Sequence, residues 1–171
     1  MSLLVRKIAR GKWPDECICP LEQLRADAIS DLRTSGDTLS VWKIDNINDM
    51  DTAVLALSAS SKTEKIENIS VVWMDEEDLK NKKINLDCSQ KGDTVVIDLQ
   101  DKHVNLVRLN YSFLGIVASL IMQKLKQDNF RRFTKSQVEK LLVQAYKANR
   151  IPQEACSEKL FQTLQELSKN K

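Results

Sequence analysis

The chain has 171 residues, of which 42% are hydrophobic and 29% are charged, with a net charge of +2. This length suits one domain, or one domain with a small appendage, which needs neither a metal nor a disulfide to fold. Charged residues interrupt the first twelve positions and the longest apolar run is residues 113–122, so the sequence indicates neither an export signal nor a membrane span.

The first part of the chain alternates between predicted strands and helices. Residues 3–8, 38–44 and 69–74 are rich in aliphatic, β-branched or aromatic residues and predict strands. Apolar residues at helical spacing predict helices beginning near Leu21 and near Met50. Acidic residues after the third strand favour a further short helix, because carboxylates stabilise helix N-termini.

A hairpin is predicted after Gly92. Residues 94–99 and residues 103–109 both have strand composition, and three residues separate them. Residues 1–109 therefore predict an α/β layer of strand–helix units that ends in a hairpin.

Everything from residue 110 onward is predicted to be helical. A helix over residues 111–127 is apolar nearly all round, which is typical of a helix buried on most sides. Two amphipathic helices, at about 134–149 and 153–168, are expected to cover it. The sequence thus predicts an α+β protein with a C-terminal three-helix unit at residues 110–171, either separate from the α/β portion or joined with it in one compact domain.

The basic residues concentrate in the C-terminal part. Residues 1–100 carry a net charge of −5 and residues 101–171 carry +7. The helix predicted from Thr134 has an apolar stripe on one side and cationic residues on the other. Arg131 and Arg132 are expected in the turn before it. We predict a basic partner-binding face formed by Arg131, Arg132, Lys140, Lys147 and Arg150.

Trp13 is a second candidate contact residue. It lies in a basic loop that contains proline, and an exposed tryptophan beside arginine and lysine is common in protein interfaces. The alternative is that its indole ring packs on the rim of the core.

Carboxylates follow two of the predicted strands. If these strands are parallel neighbours, Asp45, Asp75 and Glu76 could converge on a divalent metal at the carboxyl end of the sheet. Helix capping explains the same acids without any metal.

The thiols and the single histidine give no clear catalytic or metal pattern. Cys17 and Cys19 lack the spacing of a zinc-ligand pair, and His103 is the only histidine available to a cysteine nucleophile. Phosphate-binding glycine loops are absent from the sequence. We predict no cofactor, and we expect free thiols in a soluble, cytoplasmic protein.

Three functions remain open. The first is a non-catalytic subunit of a complex, or a regulatory or immunity-type partner, that binds a protein through its basic helical face. The second is an accessory protein whose C-terminal helices bind nucleic acid. The third is a metal-dependent enzyme with carboxylates at the strand ends. Self-association is compatible with each of them.

Overall fold

The computed structural model describes residues 2–14 and 24–169, so Cys17, Cys19 and Leu21 lie outside the described residues. Its strands form one six-stranded sheet: β1 (Leu3–Lys7), β2 (Leu39–Ile44), β3 (Ile69–Asp75), β4 (Asn85–Asp87), β5 (His103–Val107) and β6 (Phe130–Phe133). Its helices are α1 (Ala26–Ile29), α2 (Met50–Ser58), α3 (Glu76–Asn81), α4 (Tyr111–Lys126), α5 (Lys135–Lys147) and α6 (Glu158–Lys169). The predicted α+β class, with helices in the C-terminal part, is confirmed.

The strand order is β4-β5-β2-β1-β3-β6, and each neighbouring pair is antiparallel. The first strand therefore lies in the interior of the sheet, between β2 and β3. These two strands run parallel to each other but are not neighbours. Strand β6 occupies one edge, where it pairs with β3 alone among the described strands.

Helices cover both faces of the sheet. Because successive side chains of a strand point to opposite faces, Val5 and Leu4 belong to different core clusters. The face that carries Val5 packs against α2, α5 and α6. The face that carries Leu4 packs against α1, α3 and α4.

The expectation that α5 and α6 cover α4 is wrong. Strand β6 follows α4 and takes the chain along the edge of the sheet, so α5 and α6 lie on the face opposite α4. Tyr111, the first residue of α4, is 95% exposed among the described residues. The C-terminal helices therefore pack on the sheet, not around a common centre.

The predicted hairpin after Gly92 is also wrong. Strand β5 pairs with β2 on one side and with β4 on the other, which leaves no edge for residues 94–99. Val95 and Val96 are buried against the α2 side of the sheet, and Ile97–Lys102 form a 3₁₀ turn. The β-branched residues of this segment fill the core without joining the sheet.

The predicted N-terminus of α5 is confirmed. The Thr134 hydroxyl accepts a hydrogen bond from the Gln137 backbone N–H, and the Gln137 side chain accepts one from the Thr134 N–H.

Within residues 2–14 and 24–169, no helix combines the length and the apolar character needed to cross a membrane.

Candidate functional site

A cleft of about 830 Å³ opens where β1 ends and β3 begins. We call it the basic groove, because four of its lining residues are the cations Arg6, Lys7, Arg10 and Arg132. Strands β1 and β6 supply Arg6, Lys7 and Arg132, and the turn after β1 supplies Arg10. The cations of the groove therefore come from two stretches that are distant in sequence, residues 6–10 and strand β6.

The one carboxylate among the described residues that line the groove belongs to Asp31, and its oxygens are already engaged. Oδ2 accepts hydrogen bonds from the Ala9 N–H (2.7 Å) and from the indole N–H of Trp13 (2.8 Å). Oδ1 lies 3.8 Å from Lys12 Nζ. Asp31 therefore fixes the position of residues 9–13 beside the groove, and it supplies one negative charge against the four cations that line the groove.

Arg6 is a fixed part of the groove. Its guanidinium donates to the backbone carbonyls of Asp31 (2.6 Å) and Ser40 (2.6 Å). Burial lowers the pKa of Arg6, and the charge of Asp31 opposes this effect. An arginine keeps its charge at neutral pH, so Arg6 adds a fixed positive charge to the groove.

Two other cations of the groove are available to a ligand. Within the described part of the chain, the side chains of Lys7 and Arg132 form no hydrogen bond and no ion pair, and both residues are exposed. They are the strongest candidates for contacts with an anionic group.

Arg131 and Arg132 lie in strand β6, not in the turn that the sequence predicts. Arg132 points into the basic groove. Arg131 lies on the opposite face, with its guanidinium 4.7 Å from the ring centroid of Phe133. Since both arginines are exposed, β6 presents a positive charge on each side of the sheet edge.

The predicted helical face is only partly available. Lys140 and Lys147 are exposed and form no ion pair with another described residue. Arg150 is engaged, because its Nη2 lies 2.6 Å and its Nε 3.1 Å from Asp98 Oδ2. This forked contact pairs Arg150 with a carboxylate of the same chain, so its charge is partly balanced at the surface.

Trp13 is not a surface residue. It is 1% exposed and belongs to the core cluster on the α4 face. The expected exposure of Trp13 is wrong, and its ring packs in the core as the alternative has it. Its burial is explained by the apolar ring, while the hydrogen bond to Asp31 satisfies the indole N–H.

The acidic strand ends are neutralised by lysines. Asp45 lies 3.4 Å from Lys102, and Asp75 lies 2.6 Å from the buried Lys124. Glu76 lies 2.8 Å from Lys43 and also contacts Lys80 and Ser2. Hydrogen bonds from Lys43, then Lys80, then Ser2 lower the pKa of Glu76 from 4.5 to about 2.

These contacts do not assemble the metal site proposed from sequence. Strand β1 separates β2 from β3, so Asp45 and Asp75 are not on neighbouring strands. No group of three or more His, Cys, Asp or Glu residues that could hold a metal ion occurs within the described ranges. His103 is buried, with its ring against Trp42 and its Nδ1 3.1 Å from the Gln90 carbonyl.

Sequence reasoning missed the contribution of β1 to the site. Four cations lie between positions 6 and 12 with no acid among them, and this cluster is a signal for a basic surface near β1. Their convergence with Arg132 depends on the pairing of β1, β3 and β6. Comparisons with family models, with curated proteins and with solved structures gave no match for this chain.

Proposed function

We propose that this is a non-catalytic protein that binds an acidic surface of a protein partner through the basic groove, Arg131 and the outer side of α5. The observation that carries the proposal is the exposure of Lys7 and Arg132, which form no ion pair with another described residue, at a groove lined by four cations and one described carboxylate. Charge complementarity would accelerate association and select the partner, while the apolar parts of the groove would be buried on contact.

The surroundings of β6 favour a protein over a nucleic acid. Proteins that bind single strands usually offer open aromatic faces on which bases stack. Here Arg131 lies over Phe133, and Arg10 lies 5.7 Å from the ring centroid of Phe130. Phe133 is also only 2% exposed, so these two rings are poorly placed to receive a base.

Affinity capture from the native host tests this proposal. The wild-type chain should retain a stoichiometric protein, and the double variant Lys7→Glu/Arg132→Glu should lose it by about tenfold or more, since each lost charge-assisted contact costs about a factor of ten. The matched control is Lys82→Glu/Lys169→Glu, which changes the net charge equally at two exposed sites elsewhere.

Three results would contradict the proposal. The first is that the groove variant and the control variant lose the bound protein to the same extent. The second is a partner that nuclease treatment releases, which would indicate nucleic acid. The third is a bound protein whose retention does not respond to salt, because an interface steered by charge weakens as ionic strength rises.

A further inference from the structure

The pairing of β6 with β3 leaves backbone groups directed outward from the sheet. The Trp73 N–H donates to the Asn129 carbonyl (3.2 Å), which fixes the alternation of bonded pairs along the ladder. The Val71–Arg131 pair is therefore hydrogen bonded, and the backbone N–H and C=O of Phe130 and Arg132 face away from β3. The edge thus offers two donors and two acceptors in a row.

The arginine side chains flank this edge on both faces. Adjacent residues of a strand project to opposite faces, so Arg132 lies over the basic groove and Arg131 over the α5 side. A chain laid along the edge would place two adjacent side chains next to these arginines, one on each face. Adjacent acidic residues would match both charges.

We propose that β6 accepts an extended acidic segment of the partner protein as an additional antiparallel or parallel strand, with two adjacent carboxylates beside Arg131 and Arg132. The proposal rests on the function proposed above and specifies the partner's chemistry and its mode of binding. Main-chain hydrogen bonds would hold the segment, and the two arginines would select its sequence.

A second copy of this chain is a poor occupant of the edge. Pairing β6 with β6 would bring two arginines of one copy against two of the other, and like charges opposite each other destabilise a sheet. Arginines on an edge can also act only to prevent aggregation, in which case no peptide would bind there. The experiment separates these cases.

Isothermal titration of the full chain with three capped eight-residue peptides tests the proposal. The first peptide has two central glutamates among threonine and valine. The second carries N-methyl groups on alternate backbone nitrogens, which removes the donors of one edge and keeps the charge. The third replaces both glutamates by glutamine. We expect the first to bind, and the other two to bind at least about tenfold more weakly.

Hydrogen exchange gives an independent readout within the same strand. The first peptide should slow exchange at the Phe130 and Arg132 amides, which face outward. The Arg131 and Phe133 amides are already bonded to β3 and should change little. Arg131→Gln/Arg132→Gln should abolish binding of the first peptide, whereas Lys82→Gln/Lys169→Gln should leave it unchanged.

Each alternative result has a defined meaning. Equal binding of the first and second peptides overturns strand addition but leaves the proposed function intact, because charge alone would then suffice. No binding of the first peptide also overturns strand addition, and capture from the host still decides the function. An oligothymidylate that competes with the first peptide in the titration and binds more tightly than that peptide would assign the edge to nucleic acid.

Discussion

Individual charged residues have different roles according to their partners. Lys124 is buried between Asp75 (2.6 Å) and Asp78 (2.7 Å). Burial lowers the pKa of Lys124, but its hydrogen bonds to both carboxylates outweigh this effect and raise it. Such a charge stabilises the fold, because removing Lys124 would leave both carboxylates without this partner. Lys7 and Arg132 are exposed and have no described ion pair, so they are free to bind a ligand.

The lowered pKa of Glu76 predicts that its contribution to the stability of the fold is lost in acid. Its pKa in the folded chain, about 2, lies below its ordinary value of 4.5. The ionised form therefore stabilises the fold fully above about pH 4.5, and this contribution is lost as the pH falls toward 2. Between about pH 6 and pH 3, the thermal midpoint of wild type should fall more than that of Glu76→Gln.

The control for this measurement is Glu166→Gln, an exposed glutamate of α6. It should follow the wild-type pH profile. Parallel profiles for wild type and Glu76→Gln would show that the lysine contacts of Glu76 contribute nothing to folding.

At the scale of elements, local patterns predict some strands and tertiary contacts decide the others. Strands β2 and β3 have a strong β composition and are predicted to within one residue of their observed ends. Strand β6 has four residues with two arginines at its centre, and only its pairing with β3 makes it a strand. The short strand β4 is also missed, because only its pairing with β5 makes it a strand.

In the candidate site too, local patterns predict some features and tertiary contacts decide the others. Exposure of Lys140 and Lys147 follows from the apolar stripe of α5, so sequence predicts it correctly. The engagement of Arg150 by Asp98 and the burial of Trp13 depend on contacts between distant segments. Periodicity within one helix or loop carries no information about such contacts.

The register of β6 gives a prediction about proline. Arg131→Pro removes an N–H that bonds to β3, whereas Arg132→Pro removes an N–H that faces outward. We expect Arg131→Pro to lower the free energy of unfolding by about 1–3 kcal/mol more than Arg132→Pro, because it leaves a β3 carbonyl without its donor. Urea denaturation of both variants measures this difference. The reverse order would contradict the assigned register.

At the scale of the whole molecule, both halves of the chain build both cores. The cluster on the α2 face combines Val5 and Val71 with Val138 and Leu142, and the opposite cluster combines Leu4 with the buried residues of α4. Composition predicts a boundary near residue 110, but residues on both sides of that boundary contribute to each apolar core.

This sharing predicts that residues 1–109 do not fold alone. The fragment lacks the cover that α4 gives one face of the sheet and α5 and α6 give the other, and it lacks the strand that pairs with β3. We expect a poorly dispersed amide spectrum and no cooperative unfolding transition for the fragment. The full chain, measured in parallel, should unfold in a single transition. A well-dispersed, cooperatively unfolding fragment would contradict this prediction.

The late arrival of β6 has a consequence for translation. Strand β3 ends at Asp75, but its second neighbour is complete only at Phe133. At about 5–20 residues per second, the ribosome needs about 3–12 s to make the intervening segment. During that interval β3, which contains Ile69, Val71 and other apolar residues, can pair with β1 but has no strand along its other edge. When β6 is complete it pairs with β3, and the new edge of the sheet carries two arginines. The period in which the nascent chain is most prone to aggregation therefore ends when β6 pairs with β3.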